Sequence, residues 1–114
     1  MRKGENVMKM ITAIVNKKDA NEVCDALTEQ KFSFTKMATT GGFLKSGNVT
    51  LLIGTEDERV EIAIELIRRH CAQRMEPIAS VVSAGVPAFS YYKTEVPVGG
   101  ATVFVSPVER FEKM

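Results

Sequence analysis

The chain has no tryptophan, one histidine, two cysteines and four prolines among its 114 residues. The lone histidine, His70, stands beside Cys71 on a helical pattern, where successive positions point about 100° apart. Neither residue has a second ligand group near it, so a metal centre is not expected. Cys24 and Cys71 both fall inside helical patterns, which speaks for a reduced, cytoplasmic setting and against a disulfide framework. Long apolar runs are missing too: nothing approaches the roughly 18 residues that span a bilayer. The opening MRKGENV lacks the apolar stretch of a signal peptide, and residues 1–8 read as a loose leader. Charge of one sign is also absent. Fifteen Lys and Arg against fourteen Asp and Glu leave a net +1, too little to draw the chain to nucleic acid or an acidic membrane.

What is present is alternation between strand and helix patterns over a length suited to one domain with one core, placed at 9–111 with 112–114 as a tail. Lys9–Val15 is β-branched and apolar on both faces, as in the middle of a sheet. Asp19 with Glu22 three positions on forms a capping-box pattern, and Ala20, Val23, Cys24 and Leu27 then mark one stripe of a helix ending near Gln30–Lys31. Thr55 opens a second capping-box pattern, followed by a stripe of Val60, Ala63, Ile64, Ile67 and Cys71, with Arg68, Arg69 and Arg74 at the helix end. Between the helices, Phe32–Thr40 and Asn48–Ile53 read as a hairpin. The order strand, helix, strand, strand, helix needs one more strand to become a ferredoxin-like, split βαβ, α+β fold, with two helices on one face of an antiparallel sheet. Ile78–Ser83 is apolar enough to be a strand, Ala84–Tyr92 is loop-like, and Ala101–Ser106 is a strongly periodic strand that Pro107 stops. The uncovered face of such a sheet would be apolar and would invite further copies of the chain.

The hairpin loop, GGFLKSG, is the most unusual stretch. Gly41 and Gly42 permit positive φ and close backbone approach, and Phe43, Leu44, Lys45 and Ser46 follow at once. A turn that only had to close would use Asn-Gly or Asp-Gly. Phe43 and Leu44 either fold back onto the core or cover a flat, partly anionic small molecule. A Walker loop is excluded, because Leu44 precedes the lysine and a strand follows. Lys45 and the glycine-flanked N–H groups could still meet a phosphate. Asp57, Glu58, Glu61 and Glu65 read as a solvated helix face, and no catalytic signature is present. An RNA-binding sheet would carry stacked aromatics on central strands, whereas Phe104 is alone on its strand.

At TKMATTGGFLKSGN, GTEDERV and VGGATVFVSPVERF the sequence resembles the cyclic-di-AMP receptor proteins of the PII-like signal-transduction class, over about Met8 to Phe111. The resemblance implies a cytoplasmic homotrimer with a cyclic dinucleotide in each cleft between subunits, no catalysis, no cofactor, and loop ordering as output to a downstream protein. The hairpin loop, about 41–47, corresponds to a short T-loop and about 83–99 to a long B-loop. On this resemblance Thr35 offers its hydroxyl, Gly42, Phe43 and Leu44 pack on an adenine, Asn48 bonds the adenine edge, Gly54 offers backbone groups and Phe104 walls the pocket. Lys45, Lys31 and Ser33 are the candidate phosphate contacts. The family pattern has an arginine at Ser33, an asparagine at Lys31 and a glutamine near Lys113. Losing an arginine–phosphate bond removes about 1.5–3 kcal/mol, so the second reading is a trimeric adapter whose nucleotide ligand is lost or changed.

Overall fold

Alternation in the two central strands creates the core. In β1 (Met8–Asn16) the odd positions Ile11, Ala13 and Val15 are fully buried, and in β3 (Asn48–Glu56) Val49, Leu51, Ile53 and Thr55 face the same way. The computed structural model describes residues 7–39, 47–77 and 95–114. α1 (Ala20–Glu29) lays Ala20, Val23 and Leu27 on this surface, and α2 (Val60–Cys71) adds Val60, Ala63, Leu66, Ile67 and Cys71. Cys24 and Ile64 pack only at the margin, while Leu66, outside the stripe read from sequence, is buried. Burial of a Leu or Ile side chain is worth about 1.5–3 kcal/mol, so this one layer carries most of the fold's stability.

β2 (Ser33–Thr39), β3, β1 and β6 (Ala101–Pro107) are neighbours in that order, and every pairing is antiparallel. With both helices on one face this is the expected ferredoxin-like sheet, and its last strand is β6. Pro107 is the final residue of β6, at a strand end where a missing N–H is tolerated. A separate two-stranded ribbon joins β4 (Arg74–Pro77) to β5 (Glu95–Val98). β5 falls within the stretch read from sequence as a long loop. Residues 1–6, 40–46 and 78–94 lie outside the described residues, and with them the expected strand Ile78–Ser83 and loop Ala84–Tyr92. Met8, grouped by sequence with the leader, opens β1.

Both capping boxes need correction. The Asp19 side chain makes no cap hydrogen bond to α1, because its buried carboxylate is taken by Arg74. Arg74 therefore belongs to β4 rather than to the end of α2. Thr55 caps nothing: β3 runs on to Glu56, Thr55 is buried opposite Lys9, and the Asp57 N–H donates to the Val7 carbonyl at 2.7 Å. Ladder pairing with β1 satisfies these backbone groups first, and α2 starts only after a 3₁₀ turn at Asp57–Arg59.

Candidate functional site

Residues directly opposite one another in an antiparallel sheet share a face, so the register tells which sequence-predicted residues meet. Thr35, Leu52, Thr12 and Phe104 form one row across all four strands, and Ser33, Gly54, Met10 and Ser106 form the next. Asn48 lies on the same face, between Thr39 and Asn16. Thr35, Ser33, Asn48, Gly54 and Phe104 therefore all stand on the side of the sheet away from the helices. They are not all adjacent. Thr35 is on one edge strand and Phe104 on the other, three strand spacings or about 14 Å apart.

This face mixes large apolar side chains with short polar ones such as Thr12, Ser33, Thr35, Thr50, Thr102 and Ser106. Met8, Met10, Ile14 and Leu52 are half-buried, and Met37 and Phe104 are exposed at 38% and 50%. The rows through Met37, Thr35 and Ser33 carry no charged side chain, so any anionic group bound there needs a cation from elsewhere. Gly54 has open space where a Cβ would stand, leaving its backbone approachable from this side.

Asn48, at the start of β3, is one of two buried polar residues of the face, with Thr50. It is only 7% exposed, and its Oδ1 is buried without a hydrogen-bond partner. A buried unsatisfied acceptor costs about 1–3 kcal/mol, so the Asn48 oxygen calls for a partner such as an ordered water, an ion or a ligand.

Lys31, two residues before Ser33, has φ +63. It occupies the left-handed position that ends α1: the Lys31 N–H donates to the Thr28 carbonyl at 3.0 Å and the Phe32 N–H to the Leu27 carbonyl at 2.9 Å. This is a Schellman arrangement, usually built with glycine. Gly42, Phe43, Leu44 and Lys45 lie outside the described residues.

Among the described residues, clefts also lie beyond the predicted set, two of them large. One of about 460 Å³ is bordered by Lys18, Asp19, Glu22, Arg69, His70 and Arg74. Within it Arg74 Nη2 and Nη1 donate to the two Asp19 carboxylate oxygens at 2.7 and 3.2 Å, and Nε donates to Glu76 at 3.2 Å. Lys18 also pairs with Glu76. The bond to Asp19 raises the pKa of Arg74, and Lys18, then Arg74, hold the Glu76 carboxyl below its usual range. The second cleft, about 580 Å³, is bordered by Val7, Met8, Glu56, Val108, Glu109 and Phe111. Sequence reasoning missed both, because their walls come from segments far apart in the chain that share no local pattern.

His70 and Cys71 do not act together. Cys71 is in the core, and burial, with the Asp19 carboxylate adding to it, pushes its thiol up to about 12. His70 Nδ1 lies 3.8 Å from Glu22. Among the described residues no cluster of three or more His, Cys, Asp or Glu could hold a metal ion, and no helix is long and apolar enough to cross a membrane.

A split βαβ sheet with two helices on one face and an open face on the other is a PII-like architecture. The structure of Arabidopsis thaliana PII bound to citrate is similar over 94% of this chain and 80% of that one, with a TM-score of 0.60 at 18% identity. That likeness is one of fold. The family model described as cyclic-di-AMP receptor matches residues 8–114, and the chain belongs to that family. It is also similar to a functionally unknown protein from Pediococcus pentosaceus, at 41% identity and a TM-score of 0.78, covering 96% of this chain and all of the other.

Proposed function

We propose that the protein is a non-enzymatic cytoplasmic receptor that binds cyclic-di-AMP in clefts between the subunits of a homotrimer. The observation that carries this reading is the orphaned, buried Oδ1 of Asn48 on the helix-free face. An Asn amide matches the paired donor and acceptor of an adenine edge, and the exocyclic amine would supply the hydrogen that Oδ1 lacks. Thr35 and Gly54 offer a hydroxyl and open backbone on the same face. Gly42, Phe43 and Leu44 would close over the base, where aromatic stacking is worth about 1–3 kcal/mol. Phe104 is too far from Thr35 within one subunit to join the same small site, so it would come from the neighbouring copy. Met37 and Phe104, exposed on that face, favour such an assembly.

With no cation on the rows nearest Thr35 and Ser33, the phosphates depend on Lys31 and Lys45, and lysine does not reproduce the fork of an arginine. Ordering of the loops would be the output read by a downstream protein. Ser33 in place of an arginine favours one second reading, a trimeric adapter that has lost or changed its nucleotide.

Calorimetric titration separates the two. The receptor reading expects saturable heat with cyclic-di-AMP, little with cyclic-di-GMP, and a loss of about tenfold or more in Asn48→Ala, as for one lost hydrogen bond of about 1.5 kcal/mol. The same variant keeps or gains stability, because it removes an unsatisfied buried acceptor. No heat at high micromolar cyclic-di-AMP supports the adapter.

A further inference from the structure

The connection between β1 and α1 is three residues long, Lys17–Asp19, and with Asn16 at the end of β1 it holds the bases of two distant chain segments at once. On its upstream side the Lys17 N–H donates to the Gly47 carbonyl at 3.0 Å, and Asn16 stands opposite Asn48. On its downstream side Asp19 receives both Nη atoms of Arg74, and Lys18 pairs with Glu76. Arg74 and Glu76 are the first and third residues of β4, the strand that with β5 forms the ribbon. The two halves of the turn are tied together. The Lys18 N–H donates to Asn16 Oδ1 at 2.8 Å, and the Asp19 N–H donates to the Asn16 carbonyl at 2.9 Å. Asn16 therefore cannot shift with β3 without moving the backbone of Lys18 and Asp19, and with it the anchor of Arg74.

We propose that the turn Asn16–Asp19 couples the start of β3 to the β4–β5 ribbon. The functional part rests on Asn48 being an adenine contact. Occupancy there pulls on the Asn16–Asn48 pair, and the turn passes the displacement to the Asp19–Arg74 grip. Coupling of this kind is reciprocal: a partner that binds and steadies the ribbon tightens nucleotide binding. Asp19 is the buried end of the device, at 3% exposed. The ribbon end fits closely, since a Cβ on Gly99 would stand 2.6 Å from Arg74 Nη1.

Amide hydrogen exchange, followed residue by residue in the full chain with and without cyclic-di-AMP, tests this beside calorimetry. Arg74→Lys keeps the charge and loses the fork, and Asp19→Asn is the second variant should the first fail to fold. The expected result in ligand-free protein is faster exchange at Val96 and Val98 and, on the far side of the turn, at the Lys17 amide, by about fivefold or more. With ligand, the wild type slows exchange at Val98 and the variant does not. Faster exchange in the ribbon with wild-type protection at Lys17 overturns the coupling, and so does a ribbon unchanged by either variant. If calorimetry gives no heat, the adenine reading of Asn48 fails, while the ligand-free comparison at Lys17 still decides the coupling.

Discussion

The guanidinium of Arg59 lies 4.1 Å above the ring of Phe32 and donates through Nη2 to the Gln30 carbonyl at 2.6 Å. Between those two residues stands Lys31 in its left-handed conformation. Arg59 thus clasps the end of α1 from both sides of a residue that does not favour its own backbone angle. A cation near a helix C-terminus is favourable by about 0.3–1 kcal/mol, and the contact with the ring adds to it. The clasp holds the turn from which Ser33 and Thr35 extend.

Lys31→Gly relieves about 1–2 kcal/mol of left-handed strain and gives back about 0.5–1 kcal/mol through the freer unfolded chain. The expected net is a gain near 0.5–1 kcal/mol, read as a higher urea midpoint with unchanged slope. If Lys31 serves a phosphate, the same variant binds cyclic-di-AMP more weakly. Stability and affinity then move in opposite directions at one position.

Gly54→Ala separates fold from site in another way. Nothing lies within 4 Å of the new Cβ, and alanine suits a strand better than glycine does. Stability is expected to stay within about 0.5 kcal/mol of wild type, while cyclic-di-AMP affinity falls because the methyl group occupies the backbone approach. Unchanged affinity would remove Gly54 from the site.

Gly99→Ala should be costly. Its φ is +81, and the added Cβ would press on Arg74 Nη1, the Ala72 carbonyl and Asp19. A loss of about 1–2 kcal/mol is expected from the backbone angle alone, measured by urea unfolding, with faster amide exchange in β5.

Cys71 makes stability depend on alkaline pH. Its thiol is raised from 9.0 to about 12 by burial, so the folded chain keeps a proton that the unfolded chain releases. This contribution is fully present below 9.0 and is lost as pH climbs toward about 12. Cys71→Ala should flatten the decline in unfolding free energy above pH 9.0, measured by urea titration at several pH values. In the native wild type Cys71 should resist thiol reagents until the chain unfolds.

Most strands and both helices were legible because their signals are local. Runs of β-branched and apolar residues in Lys9–Val15 and Asn48–Ile53 mark strands, and the 3.6-residue stripes ending at Leu27 and Cys71 report a buried helix face, whatever lies across from them. The face shared by Thr35, Gly54 and Phe104 followed once strand order was known. The capping boxes misled, because Asp19 and Thr55 have the right neighbours in sequence but better partners in space. The ribbon strand β5, carrying a proline in EVPV, has too little pattern to be seen.

The linear order of residues was enough to set which surfaces must be buried, and so the ferredoxin-like layering, since hydrophobic periodicity acts over a few residues. Only the folded chain decided that Asp19 would meet Arg74, that Asn48 would be buried with its oxygen unpaired, and that Thr35 and Phe104 would stand on opposite edges. Those outcomes depend on where the chain returns after a long excursion, and an isolated helix or strand carries no information about that.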